Sequence, residues 1–155
     1  MANSVREMIF QDIKSALQGI SGPPSYNFRI DDKSVNVIHG THGETYQEPY
    51  IYIYPASESV RMDSGEKGKT YKALSIQIEA WLKSEPKSEM NGAINKMLHD
   101  IEKALMIDPH RGGYAIDTRM VSNDVFIESI GSPRCGLVVS IEVDYQHWYN
   151  DPTDP

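Results

Sequence analysis

The chain has 155 residues, 39% of them hydrophobic and 24% charged, which suits one domain burying roughly 70% of the surface its unfolded chain exposes. Its formal charge of −7, with 15 basic residues scattered along the sequence, argues against a general nucleic-acid binder, because clustered Lys and Arg supply affinity for phosphate backbones. A single cysteine, Cys135, cannot form an intrachain disulfide; no run approaches the ~18 apolar residues of a membrane span, and the opening Met-Ala-Asn-Ser lacks the features of a secretory signal, so synthesis in a reducing cytoplasm is expected.

The first predicted element is a helix from Ser4 to Gly19, with Val5, Ile9, Ile13, Ala16, Leu17 and Ile20 on one face. Ser4 and Glu7 have capping-box spacing, and Gly19, Gly22, Pro23 and Pro24 end the helix with a left-handed position and a block to continuation. Tyr26 to Ile30 and Val35 to His39 read as short strands joined by a hairpin loop, Asp31-Asp32-Lys33-Ser34. After a loop at Gly40-Thr41-His42-Gly43 comes a strand bracketed by Pro49 and Pro55, with Ile51 and Ile53 on one face and Tyr50, Tyr52 and Tyr54 on the other. The tyrosine face either lines the second side of a twisted sheet or meets a partner protein.

Ser57 to Thr70 is polar and glycine-bearing and is expected to project as a mobile loop between two antiparallel strands, with Lys67 and Lys69 near its tip. The strand Tyr71 to Lys83 follows, alternating Leu74, Ile76, Ile78, Ala80 and Leu82 against polar positions. A second helix, capped by Ser88, carries Met90, Ile94, Met97, Leu98, Ile101, Ala104 and Leu105 on its apolar face and stops before Asp108-Pro109. Val121 to Ile130 is a further strand. Gly131-Ser132-Pro133 then turns into the last one, in which Leu137, Val139, Ile141, Val143 and Tyr145 alternate with polar residues. Residues 1–149 thus read as one α+β domain, and 150–155 as an extended acidic tail with nothing to bury. The expected interior comprises Ile51, Leu74, Ile76, Ile78, Leu98, Ile101, Val139 and Ile141.

No catalytic set emerges. His39 and His42 lie in a glycine-bearing loop without further ligands at zinc spacing, so neither a metal nor a cofactor is expected. His99 falls on the polar side of the second helix. Asp108-Pro109-His110-Arg111-Gly112-Gly113 lacks the phosphate-loop pattern and follows a helix, which makes it a turn. Glu142 and Asp144 could share an acid/base task but look like solvent-facing acids on an alternating strand, and Cys135 has no partner base.

The order of elements, together with Tyr50-Ile51-Tyr52-Ile53 after Pro49, Asp100-Ile101-Glu102-Lys103-Ala104-Leu105 before a loop, and Val143-Asp144-Tyr145 leading to Asn150-Asp151-Pro152, resembles the tail terminator proteins of long-tailed bacteriophages. The similar head-proximal neck and tail-completion proteins share these features. The resemblance implies a mostly antiparallel sheet of about four to six strands against two helices, and a homo-oligomer, a hexameric ring, at the head-proximal end of the virion tail. Such a ring stops tube polymerisation, meets the tail tube protein on one face and the head–tail connector or stopper on the other, and lets DNA pass without sequence-specific binding or a membrane role. Candidate contact residues are Tyr50, Tyr52, Tyr54, Arg61, Asp63, Glu66, Lys67, Lys69, Trp148, Tyr149 and Asp151. Two other readings stand beside it: an adaptor or assembly protein binding a partner strand through its sheet, and a small hydrolase or nucleotide-binding protein using His110, Arg111 and Asp117 in a pocket between the second helix and the sheet.

Overall fold

A computed structural model describes residues 2–37, 48–127 and 131–155. Its elements are α1 (Val5–Gln18), β1 (Val35–Val37), β2 (Tyr50–Asp63), β3 (Lys69–Lys83), α2 (Met90–Met106), β4 (Asp117–Ile127) and β5 (Arg134–Trp148). The strands form one sheet in the order β1-β2-β3-β5-β4, antiparallel except for β1, which runs parallel to β2. Both helices contribute to the core on one face of this sheet, giving the expected α+β fold.

The alternating strands are where the reading is most exact. Leu74, Ile76, Ile78, Ala80 and Leu82 of β3 and Leu137, Val139, Ile141, Val143 and Tyr145 of β5 are all buried beneath the helices, as the period of two requires. Ser4 caps α1, its Oγ accepting the Glu7 N–H at 3.2 Å. Gly19 does not take the left-handed conformation; its φ is −72°, and the positive φ falls at Gly22, 86°. Leu98, expected in the interior, is only partly buried at the margin of the core, whereas Asp100 is fully buried.

Asp100 explains why Tyr26 to Ile30 is not a strand. Its carboxylate accepts hydrogen bonds from the Asn27 and Phe28 backbone N–H groups and from Asn27 Nδ2, each at 2.8 Å. Buried backbone donors need partners, and here a helix carboxylate supplies them in place of a neighbouring strand, leaving one isolated bridge, Ser21 to Arg29. The expected hairpin is therefore absent. Asp31 instead accepts the Lys33 N–H and caps a single turn at Asp32–Ser34, which leads into β1. His39 and the loop 40–43 with His42 lie outside the described residues, as do the last three positions of the strand expected over Val121 to Ile130; β4 itself begins earlier, at Asp117.

The largest departure is in β2, which does not stop at Pro55 but continues to Asp63. Pro55 sits beside a register irregularity between Pro55 and Ser57, and among the described residues β1 pairs with β2 no further than Ile53, so the missing N–H of Pro55 falls where strands tolerate proline. Only residues 64–68 form the connecting turn, with Gly65 at φ 72°. The expected mobile loop is thus mostly a hairpin arm. At the start of α2, Ser88 lies in a short turn, Lys87–Glu89, and makes no cap bond.

Ile76→Ala and Ile141→Ala should each cost roughly 2–5 kcal/mol in chemical denaturation, the range for emptying a packed core site. Unchanged stability in both would mean that the buried face of β3 and β5 is wrongly assigned.

Candidate protein interface

The far end of the β2–β3 hairpin gathers most of the predicted contact residues. Asp63 pairs with Thr70, and Lys69 pairs with Trp148 at the end of β5. The Lys69 ammonium lies 5.1 Å from the Trp148 ring centre, within cation–π range, and donates to the Pro155 carbonyl at 2.9 Å. Glu66 and Lys67 are exposed on the turn.

The last six residues are not an extended tail. Tyr149 N–H donates to the Gly68 carbonyl, Asp151 N–H to Trp148, and Trp148 N–H to Asp154. The Pro152 carbonyl accepts the Val5 N–H at 2.9 Å, satisfying one of the free donors at the start of α1. Asp151 is engaged within the tail, accepting the Thr153 N–H and hydroxyl, and these bonds hold its carboxyl below the usual range. The tail therefore closes over the hairpin turn and the N-terminus of α1.

At the other end of the arm, Glu58 accepts the Tyr145 hydroxyl and pairs with Lys72 at 3.4 Å and Arg6 of α1 at 3.6 Å. Arg61 donates to Glu142 at 3.2 Å. Among these braced polar groups stand large apolar side chains with no cover: Val60 is 60% exposed, Met62 56%, Trp148 40% and Tyr149 46%. This end is ordered by its own hydrogen bonds yet buries little, an arrangement that fits contact with another chain.

The tyrosines are placed differently. Tyr50 and Tyr52 are buried and Tyr54 half-buried, on the sheet face opposite the helices, so the first two are not a free contact surface and do not join the hairpin end. Tyr50 contacts Tyr52 and Trp81, and Trp81 meets Phe126 edge-on at 4.8 Å between centres. Arg134 lies over Trp81, donating to Glu48 and to the Tyr50 hydroxyl. Phe126 and Trp81 flank Gly136, where an added Cβ would fall 2.3 Å from the Phe126 ring; glycine is what lets the ring lie across the strand. Trp81 is an aromatic residue among the positions that alternate with the buried ones of β3. Phe126 and Gly136 join it only through the register.

The residues considered for chemistry do not converge. Arg111, at φ 51°, is fully buried, donating to Asp12 at 3.1 Å, to Thr118 Oγ1 at 3.2 Å and to the Leu105 carbonyl. Asp108 accepts the His110 and Gly112 N–H groups, which lowers its carboxyl pKa, and so closes the turn around Arg111. The His110 ring lies 2.8 Å from the Ile116 carbonyl, and Asp117 faces Arg119. Arg119 also bridges Asp144 and Glu142 at 2.6 and 2.5 Å, so the paired carboxylates are a salt-bridge cluster. Burial raises the Cys135 thiol pKa. A groove of about 1000 Å³ runs between α2 and the segment 23–28, lined by Ser88, Lys96, His99 and Lys103, and includes none of His110, Arg111 and Asp117. Among the described residues no three His, Cys, Asp or Glu side chains group as metal ligands, and no helix is long and apolar enough to cross a membrane.

No protein-family model and no curated protein matches the chain. Among solved structures, a chain of the virion of native gene transfer agent (GTA) particle is similar over 93% of this chain and 96% of that one, at 8% identity and a TM-score of 0.46.

Two outcomes follow from these placements. Arg111→Ala leaves Asp12, Thr118 and the Leu105 carbonyl without their buried donor and should cost about 3–5 kcal/mol in urea unfolding; a loss below about 1 kcal/mol would remove Arg111 as a clamp. Burial, then Glu79, pushes the Tyr54 phenol from 10.0 up to about 12. The folded state thus favours the neutral phenol, so this contribution is whole below pH 10 and lost as pH rises towards about 12. Unfolding midpoints across that window should fall less steeply for Tyr54→Phe than for the unsubstituted chain, and equal slopes would contradict the assignment.

Proposed function

We propose that this chain is a structural virion protein that closes into a ring at the head-proximal end of a phage-type tail tube, stopping polymerisation and offering a surface for head–tail joining. The observation that carries this reading is the hairpin end, where residues 61–69 and the C-terminal turns form one ordered contact region exposing Val60, Met62, Trp148 and Tyr149. A growing tube repeats the same docking surface with every added ring. A protein that binds that surface on one face and presents a different face above ends the growth, and head-to-tail contacts closed by rotation give such a ring. Each contact needs to bury on the order of 1,000 Å² or more, an area to which a projecting arm can contribute.

The acidic balance of the chain, −7 overall, suits a ring through which DNA slides, because carboxylates facing a polyanion repel it rather than bind it. The Arg111 turn and the Asp100 anchor serve the fold, whereas the hairpin end is ordered by hydrogen bonds and still exposes large apolar side chains.

Light scattering and negative-stain images of the purified protein should show rings of several copies. Met62→Asp places a charge on an exposed arm position and should change folding stability by no more than about 0.5 kcal/mol while abolishing rings or their docking to a tube. A protein monomeric at every concentration, or a Met62→Asp variant indistinguishable in assembly and tube docking, would contradict the reading.

A further inference from the structure

One concave surface lies apart from the hairpin end: the groove of about 1000 Å³ between α2 and the segment 23–28. Its α2 wall is a single stripe, because Gly92, Lys96, His99 and Lys103 follow one another at four-, three- and four-residue steps. The opposite wall is tied to α2. Asp100 accepts the Asn27 and Phe28 N–H groups, and Lys103 donates to the Ser25 carbonyl with its ammonium 4.9 Å from the Tyr26 ring centre. The groove is therefore built before anything enters it, which spares a ligand the cost of ordering it.

We infer that this groove receives an extended, acidic peptide segment of a partner protein. The inference goes beyond the ring reading and does not depend on it. Two of the lining side chains are lysines against one glutamate, Glu89, and His99 sets a ring nitrogen between the lysines. In a chain of net charge −7 this is a local reversal of sign, and it favours a negatively charged occupant. Lys96 and His99 are exposed, and Lys103 carries three ammonium hydrogens, of which the bond to Ser25 uses one. Asp100 stands behind the wall with its carboxylate taken up by donors of Asn27 and Phe28.

The shape selects a polypeptide over a nucleic acid. So small a set of cations is too few to hold a phosphate backbone against the repulsion of an acidic chain. Tyr26 and Phe28, half-buried in one wall, and Ala93 in the other offer apolar surface to a side chain placed between carboxylates. Spacing adds a constraint. Lys96 and Lys103 stand about 10 Å apart along the helix axis, at ~1.5 Å per residue. An extended chain of polyproline type returns to the same side every third residue, after about 9 Å, so glutamates three apart on such a segment match the two ammonium groups.

The test titrates the full chain into the fluorescein-labelled peptide Gly-Glu-Pro-Ala-Glu-Pro-Ala-Glu-Gly, with anisotropy reading affinity and TROSY amide shifts reading the site. Saturable binding is expected, with shifts in the segment 25–28 and at Gly92, Lys96, His99 and Lys103; it should weaken as salt is raised and vanish when lysine replaces glutamate in the peptide. Lys96→Glu with His99→Glu should weaken binding at least about tenfold, while Lys33→Glu, exposed on the turn before β1, should leave it within about twofold. If the double variant does not fold, the shifts in the unsubstituted chain carry the test. No saturable shift in the groove, equal binding of the lysine peptide, or tighter binding of a short DNA duplex at the same residues overturns the inference. So do groove shifts produced by concentrating the protein alone, which would seat a second copy there. Each of these results leaves the ring reading standing, and a protein that binds the peptide yet stays monomeric at every concentration removes the ring reading alone.

Discussion

Everything in this molecule hangs on the ladder between β3 and β5, which are paired without interruption from Lys69 opposite Trp148 to Lys83 opposite Arg134. Side chains alternate across a sheet, so a slip of one residue would turn every buried aliphatic group of a strand to the wrong face. Nine such groups and the Tyr145 ring, five side chains from β3 and five from β5, lie beneath the helices and lock the register. The same register places Trp81 opposite Gly136 on the far face, where Phe126 can cover the glycine, and it carries both strands beyond the helical layer to build the hairpin end.

Two buried charged groups fasten the connections to this frame. Asp100 ties the segment after α1 onto α2 through backbone donors, and Arg111 draws α1, the end of α2 and the start of β4 together. Each is satisfied by several hydrogen bonds, the condition under which a buried ionic group is tolerated.

What could be read in the sequence follows from where water lies. α1, the apolar stripe of α2 and the alternation in β3 and β5 were legible because one face of each meets the core and the other meets solvent. The outer half of β2 was not, since every residue from Ala56 to Asp63 is exposed and no alternation marks the strand; its conformation comes from pairing with β3. Tyr26 to Ile30 misled for the opposite reason: its Asn27 and Phe28 N–H groups are satisfied by Asp100, far along the chain, and those of Tyr26 and Ile30 by Gly22 and Ile20. At the candidate interface, composition singled out residues 61–69 and 150–155 as separate regions outside the core. That they lie together, with the tail closed onto the hairpin turn and α1, depends on contacts between Tyr149 and Gly68 and between Pro152 and Val5. The burial of Tyr50 and Tyr52 likewise depends on a sheet face no single strand reveals.

The ring-forming role proposed above would join these features physically: the sheet sets the direction of an arm, the tail is hydrogen-bonded to its end, and large apolar groups stand exposed there. The most direct measurement is the length distribution of tubes assembled from a phage-type tail tube protein, with and without this chain, imaged by electron cryo-microscopy. The account predicts shorter tubes, each closed at one end by a single additional ring of this protein. Tubes of unchanged length, with the protein absent from their ends or bound along their sides, would contradict it.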